Sequence, residues 1–336
     1  MDLKTLTEIN APSGHEQAIR RFLLDELKKL GFAPVLDRMG NVVVVKEGTG
    51  DAPRKRVMVS AHMDEVGLIV TSATEDGYLR IAAAGGIDPR VLVSKRVTVG
   101  EDKLPGVIGA VPIHLQSAAE RKHVLSMDEL LVDIGAKNKD EAECKAPMGT
   151  YISFDTPYVE YGDGFACGKA FDDRVGCLSL LRLLQEELPV DLVACFVSEE
   201  EVGCRGAKGA AFQQEPDVGI VLEGTTCNDL GDVPETAHVC EAGHGVAVSF
   251  MDGASIANRA LFRKALDVAK QENIPHQVKH SVSGGNDGGA IQRAREGVPV
   301  VVLSVPCRYI HSPSSVVKLS DVESQFALVK ALVKAL

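Results

Sequence analysis

Residues 192–203, LVACFVSEEEVG, hold a six-residue apolar run that leads, after one serine, into three consecutive glutamates. A short apolar run bounded by polar residues is typical of a strand that is buried on both faces. An apolar run that ends in acids or a histidine recurs at 56–65, at 218–224 and at 300–311. Because helices cover the two faces of such strands, the repeated pattern predicts an α/β fold.

Helical patterns alternate with these strands. Apolar residues recur at helical spacing in segments 173–188, 258–272 and 320–336. Between residues 73 and 163, short β-like pieces are separated by Gly, Pro and charged stretches, and only 126–133 and 138–144 hint at helix. We therefore expect a mostly parallel mixed sheet between helices, formed by residues 1–66 and 164–336 and interrupted by a small β-rich insertion domain at 67–163.

The composition argues against several classes of protein. The formal net charge of −11 disfavours nucleic acid and anionic membranes as partners, since both require clustered Lys and Arg. No apolar run reaches about 18 residues, so no transmembrane helix is expected, and the first residues lack the pattern of a signal peptide. The eight cysteines contain no CxxC pair, which favours reduced thiols and a cytoplasmic protein.

Two histidines follow predicted strands and are candidate metal ligands. His62 and His311 each come after an apolar run, although an isolated histidine in this position is more often a loop residue. Asp64 lies two residues after His62 and is placed to accept the second ring N–H, which would fix the tautomer and the orientation of the imidazole.

Carboxylates occupy the corresponding positions of the other strands. Asp172 and Asp173 precede a helix, where they could cap it, pair with Arg174 or bind a pair of metal ions. Of the acids at 199–201, one could bind metal while its neighbour serves as general base, although a solvated loop is the alternative. Glu223 ends a further strand. Together, two histidines and three carboxylates would satisfy two divalent ions, with zinc, cobalt and manganese all suitable.

Four motifs resemble, in the same order, those of the tetrahedral (TET-type) dinuclear aminopeptidases, which include glutamyl and deblocking aminopeptidases. The motifs are AHMDEVG (61–67), GKAFDDR (168–174), EEVGCRGA (200–207) and RYIHSP (308–313), and they span nearly the whole chain. The resemblance implies a metal-dependent aminopeptidase that removes N-terminal residues from peptides. It also implies that the β-rich insertion is a dimerisation domain and that dimers assemble into hollow tetrahedral dodecamers.

The resemblance further implies roles for individual residues. The residues expected to bind two divalent ions are His62 and Glu223 on one ion, Glu201 and His311 on the other, and Asp172 as the bridge. Glu200 would be the general base, and the Asp172–Asp173 peptide bond would be cis. With Glu200 we count Asp64 among the residues that serve catalysis, because it is placed to orient His62. Many members of the family carry Asp where Glu223 stands, and Gly-Thr-Asp in place of residues 285–287.

Other functions remain open at this point. A deacylase or carboxypeptidase could use the same metal site, a glycoside hydrolase could use paired carboxylates without metal, and a non-enzymatic shell could hold a structural ion. The absence of Trp counts against a sugar-binding enzyme. The preferred N-terminal residue is also open, since Arg90, Arg205 and Arg308 could select acids or be structural. The glycine-rich segment 283–289 is either a flexible turn or a loop that approaches bound substrate.

Overall fold

The computed structural model describes residues 2–336. The α-helices of this part of the chain are α1 (Leu3–Glu8), α2 (Gln17–Lys29), α3 (Lys139–Lys145), α4 (Phe171–Leu183), α5 (Arg205–Gln214), α6 (Arg259–Gln271), α7 (Asp287–Gln292) and α8 (Leu319–Lys334). None of them is both long and apolar enough to cross a lipid bilayer.

The strands of residues 2–336 fall into a large sheet and a small barrel. The large sheet contains β1 (Val35–Leu36), β2 (Val42–Lys46), β3 (Arg56–His62), β10 (Val159–Tyr161), β11 (Phe165–Gly168), β12 (Asp191–Val197), β13 (Val218–Thr226), β14 (Val246–Ser249), β15 (His276–Val278), β16 (Val300–Arg308) and β17 (Ser315–Lys318). The barrel contains β4 (Gly67–Ala73), β5 (Leu79–Ala84), β6 (Arg96–Val99), β7 (Leu104–Gly109), β8 (Leu131–Asp133) and β9 (Tyr151–Phe154).

The centre of the large sheet is parallel. Strands β12, β3, β13 and β16 lie side by side in that order and in the same direction. Antiparallel strands flank them, with β2 next to β12 and β17 next to β16. The fold-class prediction, a mostly parallel mixed sheet between helices with a separate β-rich unit, is confirmed.

Helices cover both faces of this sheet because side chains alternate along each central strand. In β12, Leu192, Ala194 and Phe196 pack in the core that contains α4 and α8, whereas Val193 and Cys195 pack in the core that contains α5 and α7. The central strands are thus buried on both sides, as their continuous apolar runs predict.

The barrel is closed, antiparallel and built around its own apolar core. Its strands follow the order β4-β5-β8-β7-β6-β9, and the side chains inside it are separate from those of the large sheet. The chain enters the barrel immediately after β3 and returns to the large sheet at β10, which pairs with β11. The expected domain limits at residues 67 and 163, and a role of the barrel in dimerisation, stay predictions.

The parallel strands bring the candidate site together at one edge. Val197 of β12 is in register with His62, and Glu223 of β13 is in register with Ser304 of β16. Because β3, β12, β13 and β16 all run toward this edge, the residues near or after their carboxyl ends converge there, as is usual for sites in open α/β sheets. Glu223 was expected to end its strand, but β13 continues to Thr226 through its pairing with β16.

Candidate metal centre

Two histidines face the two oxygens of a single carboxylate. His62 is the last residue of β3, and its Nε2 lies 3.3 Å from Oδ1 of Asp172. His311 lies in the loop after β16, and its Nε2 is 3.5 Å from Oδ2 of the same aspartate. Asp172 therefore lies between the two imidazoles, which is where a carboxylate shared by two metal ions would have to lie.

Two glutamates complete the group of expected ligands, one beside each histidine. Oε2 of Glu223 lies 3.6 Å from Nε2 of His62, and Oε2 of Glu201 lies 3.3 Å from Nε2 of His311. One donor atom from each of His62, Asp172 and Glu201 fits within a group whose members are all within 4.8 Å of one another. The five residues expected to bind metal are thus gathered in one place.

The adjacent aspartates have different surroundings. The Asp172–Asp173 peptide bond is cis, and Asp172 faces the histidines while Asp173 faces the backbone. Asp173 accepts hydrogen bonds from the backbone N–H of His62 at 3.2 Å and of Gly176 at 3.0 Å. Arg174 does not neutralise the pair, because its guanidinium donates to carbonyls in and just after α1. An Asp173 oxygen also lies within 4.8 Å of donor atoms of His62 and Glu223, but Asp173 is held by backbone N–H groups, whereas Asp172 faces both histidines.

Asp64 connects the histidine at the end of β3 to the glutamates after β12. Its carboxylate accepts hydrogen bonds from the hydroxyl of Ser13 at 2.6 Å and from the backbone N–H groups of Glu200 and Glu201 at 3.0 and 3.2 Å. Nδ1 of His62 is 3.4 Å from the Asp64 carboxylate and 3.2 Å from its backbone oxygen. Both acceptors favour a proton on Nδ1, which leaves Nε2 free to face the site.

Glu200 lies at the edge of the ligand group. One of its carboxylate oxygens is 3.9 Å from Nε2 of His62, and the other accepts a hydrogen bond from the Cys204 thiol at 3.4 Å. Burial raises the pKa of Glu200, since the ionised form has lost part of its hydration. Glu199 points elsewhere and pairs with Arg205 at 3.2 Å. Of the three consecutive glutamates, the second and third therefore belong to the site.

The electrostatics of the group fit divalent cations. Burial raises the pKa of Glu201 to about 8 and that of Glu223 well above its ordinary value, because the ionised carboxylates lose their hydration, and the neighbouring carboxylates add to both shifts. In the described part of the chain, Oε1 of Glu223 is buried without a hydrogen-bond partner. Burial opposes protonation of His311, but its bond to the Asp172 carboxylate raises the pKa to about 9. Nitrogen and oxygen donors crowded in this way suit zinc, cobalt or manganese.

Two residues beside the site were not assigned a functional role from the sequence. Asp287 is fully buried, and neither of its carboxylate oxygens has a hydrogen-bond partner within residues 2–336. Its donor atom lies within 4.8 Å of atoms of Glu200 and Cys204. Lys279 lines a cavity of about 260 Å³ together with residues that are expected to bind metal. The available signal was their position: Lys279 directly follows a strand, and Asp287 opens the helix after the glycine-rich loop.

A family model described as M42 glutamyl aminopeptidase matches residues 40–328. The lysyl aminopeptidase of Pyrococcus furiosus is 33% identical over 99% of this chain and 96% of its own length. The glutamyl aminopeptidase of Lactococcus lactis is 33% identical over 99% of this chain and 95% of its own length.

A solved structure has the same fold over almost the full length. The TET1 peptidase of Pyrococcus horikoshii, described as able to assemble into a tetrahedron or a large octahedral shell, superposes with a TM-score of 0.87. It is 33% identical and the match covers 99% of this chain and 98% of that one. Both the complete barrel and the large sheet are therefore included in the likeness.

Proposed function

The chain belongs to the M42 glutamyl aminopeptidase family, and from this membership we propose that it is a dinuclear metallo-aminopeptidase with Glu200 as general base. The resemblance predicted from the four motifs is confirmed, and the chain is a hydrolase of a metal-dependent aminopeptidase family. The number of ions, their ligands and the identity of the base are the proposed part. The observation that carries the proposal is the placement of Asp172 between His62 and His311.

The proposed ligand assignment follows the distances. His62 and Glu223, 3.6 Å apart, would hold one ion, and Glu201 and His311, 3.3 Å apart, would hold the other. Asp172 would contribute one oxygen to each. Four ionised carboxylates, from Asp172, Glu200, Glu201 and Glu223, carry a formal charge of −4, which two divalent ions would balance.

When bound, such ions supply Lewis-acid chemistry: they polarise a carbonyl oxygen and lower the pKa of water. The protein side chains transfer the protons and hold the ligands in position. Glu200, with its raised pKa, is suited to accept a proton from the attacking water and to deliver it to the leaving amine. Asp64 would act indirectly, through other residues, because it positions His62 and the backbone of the loop that carries Glu200. We expect no direct contact between Asp64 and the substrate.

We extend the proposal to assembly, with dimers as the first step and a tetrahedral dodecamer as the complete particle. The support is the likeness to the TET1 peptidase, described as able to assemble into a tetrahedron or a large octahedral shell, and to a similar structure described as a dodecamer. A segment of the barrel exposes Val111, Ile113, Leu115 and Val124 to solvent, each at 59% or more. Apolar side chains clustered in this way are typical of a surface that another protein covers, and a second copy of this chain is the proposed partner.

The experiment that tests the function is a panel of aminoacyl p-nitroanilides, assayed after chelation and again with zinc, cobalt or manganese added back. Cleavage that depends on the added ion supports the proposal. Hydrolysis confined to N-acyl amino acids would indicate a deacylase, and release of a C-terminal residue would indicate a carboxypeptidase. Cleavage of a glycoside that survives chelation would indicate a glycoside hydrolase, and bound metal without any activity would indicate a structural shell.

A further inference from the structure

The arginines that could select an acidic substrate are already paired. Arg308 forms two hydrogen bonds with the Asp229 carboxylate at 2.7 and 2.8 Å. Arg205 pairs with the neighbouring Glu199 at 3.2 Å. Arg90, which lies between strands β5 and β6 of the barrel, pairs with Asp88. A guanidinium that already holds a carboxylate is poorly suited to select a second one, so these arginines are weak candidates for substrate selection.

A small polar cavity opens directly beside the metal centre. Its volume is about 260 Å³, and its lining includes Asp172, Glu200, Glu223 and His311. The remaining wall is largely polar and includes the residues Thr225, Thr226, Ser283 and Ser304. The volume is below the range of about 300–1,000 Å³ typical of pockets for drug-sized ligands, which suits a single amino-acid side chain. The polar lining favours a polar or charged one.

One amine in this lining lacks the partner that its burial requires. Lys279 is 8% exposed, and its backbone N–H donates to Val248 of β14 at 3.0 Å, which anchors it to the sheet. Its Nζ donates a single hydrogen bond, at 3.4 Å, to the carbonyl of Ser283. Within residues 2–336 it forms no ion pair shorter than 4.0 Å. A buried ammonium without a counter-ion costs free energy, which an anionic ligand would recover.

We propose that Lys279 selects substrates whose N-terminal residue is acidic, by binding the side-chain carboxylate in this cavity. The inference rests on the proposed aminopeptidase function. Family membership does not by itself decide the specificity, because relatives of equal identity are named lysyl and glutamyl aminopeptidases.

The test compares glutamyl and glutaminyl p-nitroanilide, which have nearly the same shape and differ in charge. The wild-type enzyme should have the higher kcat/KM with the glutamyl substrate. Lys279→Gln should reduce this ratio by about tenfold to a hundredfold, the loss expected for one charge-assisted hydrogen bond. Lys279→Arg should keep the preference, and Lys279→Glu should shift it toward lysyl p-nitroanilide. Metal content and circular dichroism check that each variant is folded.

A matched control is Lys208→Gln, because Lys208 is exposed and lines a different cavity; it should leave the ratio unchanged. Equal rates with the two substrates in the wild type, or an equal loss with both in Lys279→Gln, would overturn the inference while leaving the aminopeptidase function intact. The second result would mean that Lys279 only balances the charge of the metal centre. Cleavage of an N-acetylated dipeptide instead of any p-nitroanilide would show that the cavity binds an α-carboxylate, and both proposals would fail.

Discussion

The carboxylate of Asp64 accepts a hydrogen bond from the backbone N–H of Glu200, with 3.0 Å between the two atoms. This bond joins the end of β3, which carries the proposed ligand His62, to the loop after β12, which carries the proposed base. A single buried side chain thus links these two segments, although they are more than a hundred residues apart in sequence.

Substitution of Asp64 by Asn is expected to weaken metal binding. The amide has one acceptor oxygen where the carboxylate has two, so part of the bonding to His62, Ser13 and the Glu200 loop is lost. Removing a partner that orients a ligand typically costs about 10- to 100-fold in metal affinity. Competition with a chromogenic chelator measures this change. Asp88→Asn, at an exposed carboxylate paired with Arg90, is the control, and equal affinities in the two variants would argue against the positioning role.

Substitution of Glu200 by Gln should leave folding and metal content intact and reduce kcat strongly. The amide has nearly the same shape but cannot accept the proton of water, and a general base typically contributes about 10²- to 10⁴-fold. Glu199→Gln is the matched control, because Glu199 adjoins Glu200 but points toward Arg205. Turnover close to the wild type in Glu200→Gln would exclude this residue as the base.

Removal of metal should make the stability of the protein depend on pH. In the metal-free chain the pKa of Glu201 is raised from an ordinary 4.5 to about 8, and that of His311 from 6.5 to about 9. Both groups hold protons more tightly in the folded state, so their contribution is complete at low pH and is lost as the pH rises through these values. The Tm of the chelated protein should therefore fall between about pH 5 and about pH 9.

Calorimetry at several pH values checks this expectation. Bound metal replaces the protons, so the loaded protein should show a smaller slope over the same interval. Glu201→Gln removes one of the titrating groups and should flatten the slope of the chelated protein. A Tm of the chelated protein that rises with pH would contradict the assignment.

The exposed apolar segment of the barrel should be required for assembly. Ile113→Glu or Leu115→Glu places a charge on a side chain that is 69% exposed, which a monomer tolerates but a buried interface does not. Light scattering should show a smaller particle with an unchanged circular dichroism spectrum. Met148→Glu, at another exposed apolar position before β9, is the comparison. A particle of unchanged mass in both Ile113→Glu and Leu115→Glu would place the contact elsewhere.

Much of the fold follows from the sequence because the central strands are buried on both faces. The continuous apolar runs of β3, β12, β13 and β16 can be read directly, and each run leads into the acids and histidines of the site. The pattern of residues 126–133 hints at a helix, but only Met127–Glu129 form a single 3-10 turn, and strand β8 follows. In that segment the pairing with β5 and β7 decides the conformation, and local periodicity does not reveal it.

The candidate ligands could be named from the sequence, and the family resemblance assigned different roles to neighbouring residues, but the residue types alone gave no physical reason for those roles. Asp172 and Asp173 are identical in type, and only the structure shows that the second is occupied by backbone N–H groups. Lys279 belongs to no recognisable sequence motif. It became a candidate for substrate binding only because the structure shows it buried without a counter-ion. Such information depends on which elements meet in space, and sequence spacing does not contain it.

The central claim, that two divalent ions bind at His62, Asp172, Glu201, Glu223 and His311 and drive peptide hydrolysis, is tested most directly by titrating the metal-free enzyme. Aminoacyl p-nitroanilide hydrolysis is followed while zinc, cobalt or manganese is added in known amounts per chain. We predict no activity without metal and a plateau at two ions per chain. A plateau at one ion, or full activity in the presence of chelator, would contradict the dinuclear mechanism.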